Sequence, residues 1–331
     1  MDRLKIAILG FGSVGKGLAK IIADKNLGII ITAIADSKSG IIDNKGLNVA
    51  KVLLAKKKTG LCGDTSITPQ KIIETAEYDV LVEVTPTNAA TGQPALDYIK
   101  AALSRGKDVV TSNKGPIALE FKSLQKMADE NNCLLKYEAT VCGAIPIIHA
   151  LQHGLAGNKI KKIYGVFNGT CNYILTRMSD EKLTYKQALL EARELGYAES
   201  DPTYDIKGID AAIKLVILAN TVLGFDKTLD DVEITGIDNM SSDAIGLALE
   251  DGKTIRLIGE IDAERETLSV APRILPKNHI LVVKDTLNAV TARTDLAGDV
   301  TLIGKGAGSF ETASAIISDL LYIKENHGGR N

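Results

Sequence analysis

Gly10-Phe11-Gly12-Ser13-Val14-Gly15 decides the fold. It stands between an apolar run, Leu4–Leu9, and a segment with helical spacing, Val14–Ala23. Each glycine of this GxGxxG pattern has its own task. Gly10 permits a tight turn, Gly12 lets backbone N–H groups approach a pyrophosphate, and Gly15 lets helix and strand pack closely. The helix N-terminus then faces the negative charge. A second apolar run, Ile29–Ala35, ends at Asp36, about 20 residues beyond the motif, where an acid can accept from ribose hydroxyls. The plainer alternative for Asp36 is a solvated turn aspartate. The candidate cofactor contacts are therefore Gly10, Phe11, Gly12, Ser13, Val14, Gly15 and Asp36.

Outward from the motif, strands and helices alternate over residues 1–137. Val80–Val84 and Val109–Val110 read as buried strand cores, and Leu134–Tyr137 as a last short strand. Between them Pro94 opens a helix with Leu96, Ile99 and Leu103 on one face; proline suits the start of a helix. This alternation implies an α/β fold with a Rossmann-type parallel sheet and right-handed crossovers. Residues 138–303 read differently. Lys161–Phe167 is strand-like. Helices are expected at Tyr173–Met178, Tyr185–Leu195 and Ile209–Leu223, and strands at Thr254–Ile261, Leu268–Val270, Ile280–Val283 and Ala289–Thr294. That pattern predicts an α+β substrate and dimerisation domain. Past Gly304, Gly306 and Gly308, a helix carries Ala313, Ile316, Ile317, Leu320 and Leu321 on one stripe. Such a stripe must be buried, and the expectation is a return to the first domain, which residues 304–331 complete.

The 331 residues carry a net charge of −2 with acids and bases interspersed, so nothing resembles a basic stripe for nucleic acid or a membrane surface. No apolar run approaches the roughly 20 residues of a spanning helix, and Met1–Lys5 leads straight into a strand rather than a secretory segment. Cys62, Cys133, Cys142 and Cys171 form no CxxC pair. The expectation is a cytoplasmic protein with free thiols.

Two lysines carry the candidate chemistry. Lys114 follows the strand Val109–Val110 within Thr111-Ser112-Asn113-Lys114-Gly115-Pro116. Ligands of open α/β sheets bind outside the carboxyl ends of strands, which puts Lys114 beside an expected nicotinamide; the alternative is a surface loop lysine. Lys214 lies in the apolar stretch Ile209–Leu223, whose only charges are Asp210 and Lys214, spaced i, i+4 on one face. A charge there is expensive unless paired, and a buried lysine suits proton transfer. A purely structural ion pair is the alternative. Just upstream, Glu199, Asp201 and Asp205 sit in a turn-rich segment, able to hold a substrate ammonium or simply to cap helices. Lys56-Lys57-Lys58 is either a solvated face or, with Lys38, a contact for the extra phosphate of NADP.

Taken together, these residues resemble the homoserine dehydrogenase family. The most specific stretch runs from Ala192 through Gly196-Tyr197-Ala198-Glu199-Ser200-Asp201-Pro202-Thr203-Tyr204-Asp205 to Lys214. Glu83-Val84-Thr85-Pro86-Thr87, Thr111–Lys114, Glu138-Ala139-Thr140-Val141 running to Pro146, and Asn168-Gly169-Thr170 with Asn172-Tyr173-Ile174-Leu175 match in order. The likeness covers nearly the whole chain.

The resemblance implies NAD(P)-dependent interconversion of L-homoserine and L-aspartate 4-semialdehyde, a step in threonine, methionine and isoleucine synthesis. By position it implies Lys214 and Lys114 as catalytic lysines. It implies Glu199, Asp210, Thr170 and Asp205 as substrate contacts, Thr85 and Lys114 on the nicotinamide side, Lys57 toward NADP, and Gly306 in a loop over the cofactor. It further implies a monovalent cation, usually sodium, on backbone groups of Glu138, Val141, Gly143 and Ile145, and a homodimer. Cys142 stands where a smaller residue is usual. The expected form is the short one, without a regulatory ACT domain or an aspartokinase half. Two rival readings remain at this stage. One is another amino-acid dehydrogenase, such as an aspartate dehydrogenase; the other is a non-enzymatic NAD(P)-sensing protein.

Overall fold

The computed structural model describes residues 3–327. They form two compact units: one takes in the chain through Gly143 and again from Gly308 onward, the other is Ala144–Ala307.

The first unit contains β1 (Leu4–Leu9), α1 (Ser13–Asp24), β2 (Ile29–Ala35), β3 (Gly40–Ile42), α2 (Val49–Thr59) and α3 (Pro69–Thr75). It continues with β4 (Val80–Glu83), α4 (Ala95–Leu103), β5 (Asp108–Thr111), α5 (Lys114–Glu130) and β6 (Leu135–Lys136). Its sheet has the order β3-β2-β1-β4-β5-β6. All pairings are parallel except that of β3 with β2. Helices cover both faces, so β1, β2 and β4 read as continuous apolar runs rather than alternating ones. The order reverses between β1 and β4, and the Gly10–Gly15 turn leaves β1 at that point.

The second unit contains α6 (Ile147–His149), β7 (Ile160–Val166), α7 (Gly169–Asp180), α8 (Tyr185–Glu194), α9 (Thr203–Ile206), α10 (Ile209–Val222) and β8 (Val232–Ile234). After α11 (Ser242–Glu250) come β9 (Lys253–Asp262), β10 (Thr267–Pro276), β11 (Leu287–Thr294) and β12 (Asp299–Lys305). These strands form a sheet of order β12-β11-β7-β9-β10-β8, antiparallel but for β8 on β10. Lys253–Asp262 is buried on both faces, with Ile255, Leu257, Ile258 and Ile261 in the interior. Gly259 admits Phe167 and Leu215, whose side-chain carbons would stand 2.9 and 3.2 Å from any Cβ there.

The last helix, α12 (Ser309–His327), belongs to the first unit. Ala313, Ile316 and Leu320 are fully buried in the core around β1 and β2. Burying each of the two larger side chains contributes about 1.5–3 kcal/mol. Ser309 Oγ donates to Ser13 O at 2.7 Å. Gly17 on α1 makes this approach possible, since a Cβ there would lie 2.2 Å from Ser309 Oγ.

Three sequence expectations shift. The unit boundaries fall at 143/144 and 307/308 rather than 137/138 and 303/304. The N–H of Glu138 donates to Asp319 Oδ2 of α12 at 3.0 Å, which ties the turn Glu138–Thr140 to the first unit, and β12 carries the second sheet through Lys305. Ile280–Val283 is a turn, not a strand. His279 and Val282 donate to Pro276 O and His279 O, while Val283 O is taken by Asn172 Nδ2 at 3.1 Å. Its apolar character reflects burial of Leu281 and Val283 in a small core with Val166 and Ile258. Finally, Lys114 does not sit in a loop: it is the first residue of α5.

Candidate active site

In the first unit, a cradle forms where β1 meets α1. Gly10 has φ +102°, and a Cβ on it would lie 2.4 Å from Val84 O. A Cβ on Gly15 would lie 2.1 Å from Gly10 O. Only glycine fits either place. Gly12 differs: among the described residues nothing lies within 4 Å of where its Cβ would be, and no side chain caps the helix there. The first N–H groups of α1 therefore face open space, the arrangement a pyrophosphate takes. Phe11 is buried beneath the turn, Ser13 is exposed and Val14 half-buried. These residues fit a dinucleotide.

Asp36, at the end of β2, is already engaged. Its Oδ1 accepts from the N–H groups of Lys38 at 2.8 Å and Ser39 at 3.1 Å. Its Oδ2 accepts from Lys56 Nζ at 2.5 Å. Burial raises this carboxyl, but the Lys56 ammonium and the two backbone donors outweigh it and hold it below its usual range. Lys56 lies on α2 and also donates to Gly60 O at 2.6 Å. Lys57, Lys58 and Lys38 are exposed. The lysine paired with Asp36 is thus Lys56, which the sequence reading left inside a charge run.

At the carboxyl ends of β4 and β5 lies a group missed from sequence. Glu83 is fully buried. Its Oε1 accepts from the Thr85 N–H at 2.8 Å and from Thr85 Oγ1, and its Oε2 from Thr111 Oγ1 at 2.9 Å. Burial pushes the carboxyl up, and these neutral donors offset that rise only in part. Asn113 caps α5 by accepting from the Gly115 N–H at 3.2 Å, and it donates to Thr85 O at 3.2 Å. Half-buried Lys114 follows directly. A cation at a helix N-terminus is opposed by the helix dipole. The signal in sequence was an acid closing an otherwise apolar strand, Val80-Leu81-Val82-Glu83.

In the second unit, Lys214 is 7% exposed and Asp210 8%. Lys214 Nζ donates to Asp210 Oδ2 at 2.7 Å and to Phe167 O at 2.6 Å. Gly208, at φ +80°, turns the chain into α10 and places Asp210 in its first turn, where the dipole favours a carboxylate. Asn168 organises the rest. Its Nδ2 donates to Asp210 Oδ2 at 2.9 Å and Asp205 Oδ1 at 2.6 Å, and its Oδ1 caps α7 through the Cys171 N–H at 2.8 Å. Burial first, then the Asp210 charge, raises the Asp205 carboxyl. Thr170 Oγ1 donates to Tyr197 O at 2.8 Å. Glu199 stands exposed, and Gly306 packs so tightly that a Cβ would lie 2.3 Å from the Asn288 side chain.

The expected cation positions are backbone ones. Glu138 O accepts from the Val141 N–H at 3.3 Å. Cys142 and Gly143 follow at φ +57° and +49°, so the chain turns sharply at a non-glycine residue. Ile145 opens the second unit's segment, with its O taken by the Ile147 N–H at 2.8 Å. Among the described residues no cluster of three or more His, Cys, Asp or Glu side chains could hold a metal.

Hydride chemistry asks for a dinucleotide held at strand ends, and the glycine cradle of the first unit fits one, as in the dinucleotide-dependent oxidoreductases. The models of two families match: homoserine dehydrogenase over residues 146–321, and the homoserine dehydrogenase NAD-binding domain over 10–138. A homoserine dehydrogenase of Methanocaldococcus jannaschii is 44% identical, over 97% of this chain and 98% of the relative. An NAD(+)-dependent homoserine dehydrogenase of Pseudomonas canavaninivorans is 37% identical, over 98% and 97%. The solved structure of a hyperthermophilic archaeal homoserine dehydrogenase in complex with NADPH matches with a TM-score of 0.86 at 33% identity, covering 98% of each chain. The chain belongs to the homoserine dehydrogenase family. It is an NAD(P)-dependent oxidoreductase that interconverts L-homoserine and L-aspartate 4-semialdehyde, and neither rival reading stands. Among the described residues no helix is long and apolar enough to cross a membrane.

Proposed function

We propose that Lys214 is the proton-transfer group and that Asp210, Asp205, Thr170 and Glu199 receive the amino-acid end of the substrate. The observation that carries this is the buried Lys214–Asp210 pair at 2.7 Å, on a helix that gains nothing from a charge. A bound nicotinamide supplies the hydride acceptor for C4 of homoserine. Lys214 takes the hydroxyl proton as the hydride leaves and returns it in reverse. An ammonium beside that oxygen also stabilises developing negative charge. Asp210 holds Lys214 in place, and exposed Glu199 is available to the substrate ammonium. Lys114, next to the Glu83 network, serves on the nicotinamide side with Thr85. Absorbance at the nicotinamide band with homoserine tests the scheme. Lys214→Ala and Lys114→Ala should each lose about 10²–10⁴-fold in turnover. Their combination should lose less than the product, as groups acting in one unit do. A fully multiplicative loss refutes their joint role.

We further propose that both NAD and NADP are used. Asp36 Oδ2 keeps one acceptor position for a ribose hydroxyl, and Lys56 can leave Asp36 for a 2′-phosphate. The family resemblance supports two more features. One is a monovalent cation on backbone oxygens of Glu138, Val141, Gly143 and Ile145, hard donors of the kind such an ion takes. The other is a homodimer through the second unit. Sodium titration of activity and sedimentation equilibrium test these in turn.

A further inference from the structure

Glu83 stands apart from the groups used so far. It is a fully buried acid at the carboxyl end of a central strand, between β1 and β5. Its donors are the Thr85 N–H and the hydroxyls of Thr85 and Thr111. All are neutral, and none cancels its charge. Burying an uncompensated carboxylate is expensive, and a glutamine of the same size would relieve that expense. With the carboxylate ionised, the Thr85 N–H and both threonine hydroxyls can all donate to it, which spreads its charge over three neutral donors. The residues it ties together are Thr85 on one strand end and Thr111 on the next, and the Asn113 amide closes the cluster by donating to Thr85 O at 3.2 Å. Asn113 in turn caps the helix that Lys114 begins.

We propose that Glu83 is a positioning residue of the reaction: it locks the ends of β4 and β5 so that Thr85 and Lys114 face the nicotinamide. Its negative charge also favours the oxidised, cationic ring over the neutral reduced one. This rests on the reading that Thr85 and Lys114 serve the nicotinamide side. Both consequences follow from one carboxylate, and they separate experimentally. A structural prop affects both cofactor forms alike, whereas a charge discriminates between them. Unit charges within about 10 Å at an effective dielectric of about 20 interact strongly enough for about a tenfold change in affinity.

The test is the ratio of dissociation constants for oxidised and reduced cofactor, measured calorimetrically and by nicotinamide fluorescence on the full chain. Glu83→Gln should weaken the oxidised form about tenfold more than the reduced form. Equal weakening of both, or none, overturns the proposal. Glu83→Asp provides a second handle, also where the glutamine variant fails to fold. It keeps the charge but is too short to hold Thr85 and Thr111 together. The ratio should therefore stay near the parent value while kcat falls at least tenfold. A collapsed ratio in the aspartate variant overturns the charge effect, and an unchanged kcat overturns the positioning. Lys114→Met distinguishes the underlying reading: if it leaves turnover and cofactor affinity intact, that reading fails whatever Glu83 does.

Discussion

Replacing Lys214 by methionine keeps the apolar stem and removes the ammonium. Two hydrogen bonds vanish, one to Asp210 Oδ2 at 2.7 Å and one to Phe167 O at 2.6 Å. Asp210, with its side chain 11% exposed, then retains the Asn168 donor but loses its cation. Breaking a buried pair from one side costs about 3–5 kcal/mol. Because Asn168 remains and Asp210 can take up a proton, the lower end applies. For a unit of this size that is a fall of roughly 6–12 °C in Tm. Turnover with homoserine should fall about 10²–10⁴-fold. Adding Asp210→Asn removes the stranded acid, so the double variant should recover most of the lost Tm but none of the activity. Thermal unfolding and the nicotinamide absorbance assay, run on all three variants, make the comparison. Turnover within tenfold of the parent in a folded Lys214→Met protein refutes Lys214 as the proton-transfer group. A double variant no more stable than the single one refutes the account of its burial.

Lys56→Met should weaken NADP and leave NAD equal or improved, because Asp36 regains a free oxygen; Lys57→Met should change neither by more than about twofold, since a solvated charge contributes little. A larger effect at Lys57 than at Lys56 in KM for NADP would reverse the assignment. Glu199→Gln should raise KM for homoserine with little change in kcat, as loss of a charge-assisted contact does; unchanged kinetics return Glu199 to a solvated loop. The Asp205 carboxyl is raised in the folded state by burial and by Asp210, so the folded protein holds a proton the unfolded chain releases near pH 4. Its contribution to stability is greatest below that pH and declines as pH rises to the folded-state value. Asp205→Asn should flatten this part of the Tm profile above about pH 4, and an unaltered slope contradicts the shift.

What sequence could tell depended on how far apart the partners lie. Leu4–Leu9 and Ile29–Ala35 were legible to the residue because a strand covered on both faces has to be apolar throughout. Helix α5 was not, because Lys114-Gly115-Pro116 reads as a turn. Proline is tolerated there because the first-turn N–H groups have no helical partner anyway. Strand β12 was missed for another reason: Asp299–Lys305 is only partly buried along its length, so it shows neither alternation nor an apolar run. Ile280–Val283 erred in the opposite direction, an apolar segment buried as a turn. Lys214 and Asp210 could be read because their relation is local, one helical turn. Asn168 could not, since the carboxylates it bridges lie 37 and 42 residues further on. Among Lys56, Lys57 and Lys58 the sequence offers no choice; helical geometry does, because successive residues point about 100° apart and only one can face Asp36.

The residues that sequence and structure together single out share one property: each is a charge whose surroundings are not those of ordinary solvent. Lys114 opposes the dipole of the helix it begins. Lys214 interrupts a largely apolar helix whose only other charge is its partner. Glu83 is buried with neutral donors only, and Asp36 and Asp205 are held away from their ordinary titration by their surroundings, in opposite directions. Where a sequence departs from what packing asks of it, the reason is usually function. By that criterion Glu83 belongs with the two lysines rather than with the core that encloses it. Thr32 provides the contrast, being a fully buried polar residue in β2 that donates to Glu77 O at 2.7 Å. It is neutral and meets a backbone acceptor, so fold stability accounts for it. A valine at position 32 would leave Glu77 O without that donor, at a cost of about 1–3 kcal/mol, and should leave kcat untouched. Glutamine at 83 reverses the pattern, since it removes a buried charge that opposes folding while disturbing the cofactor side.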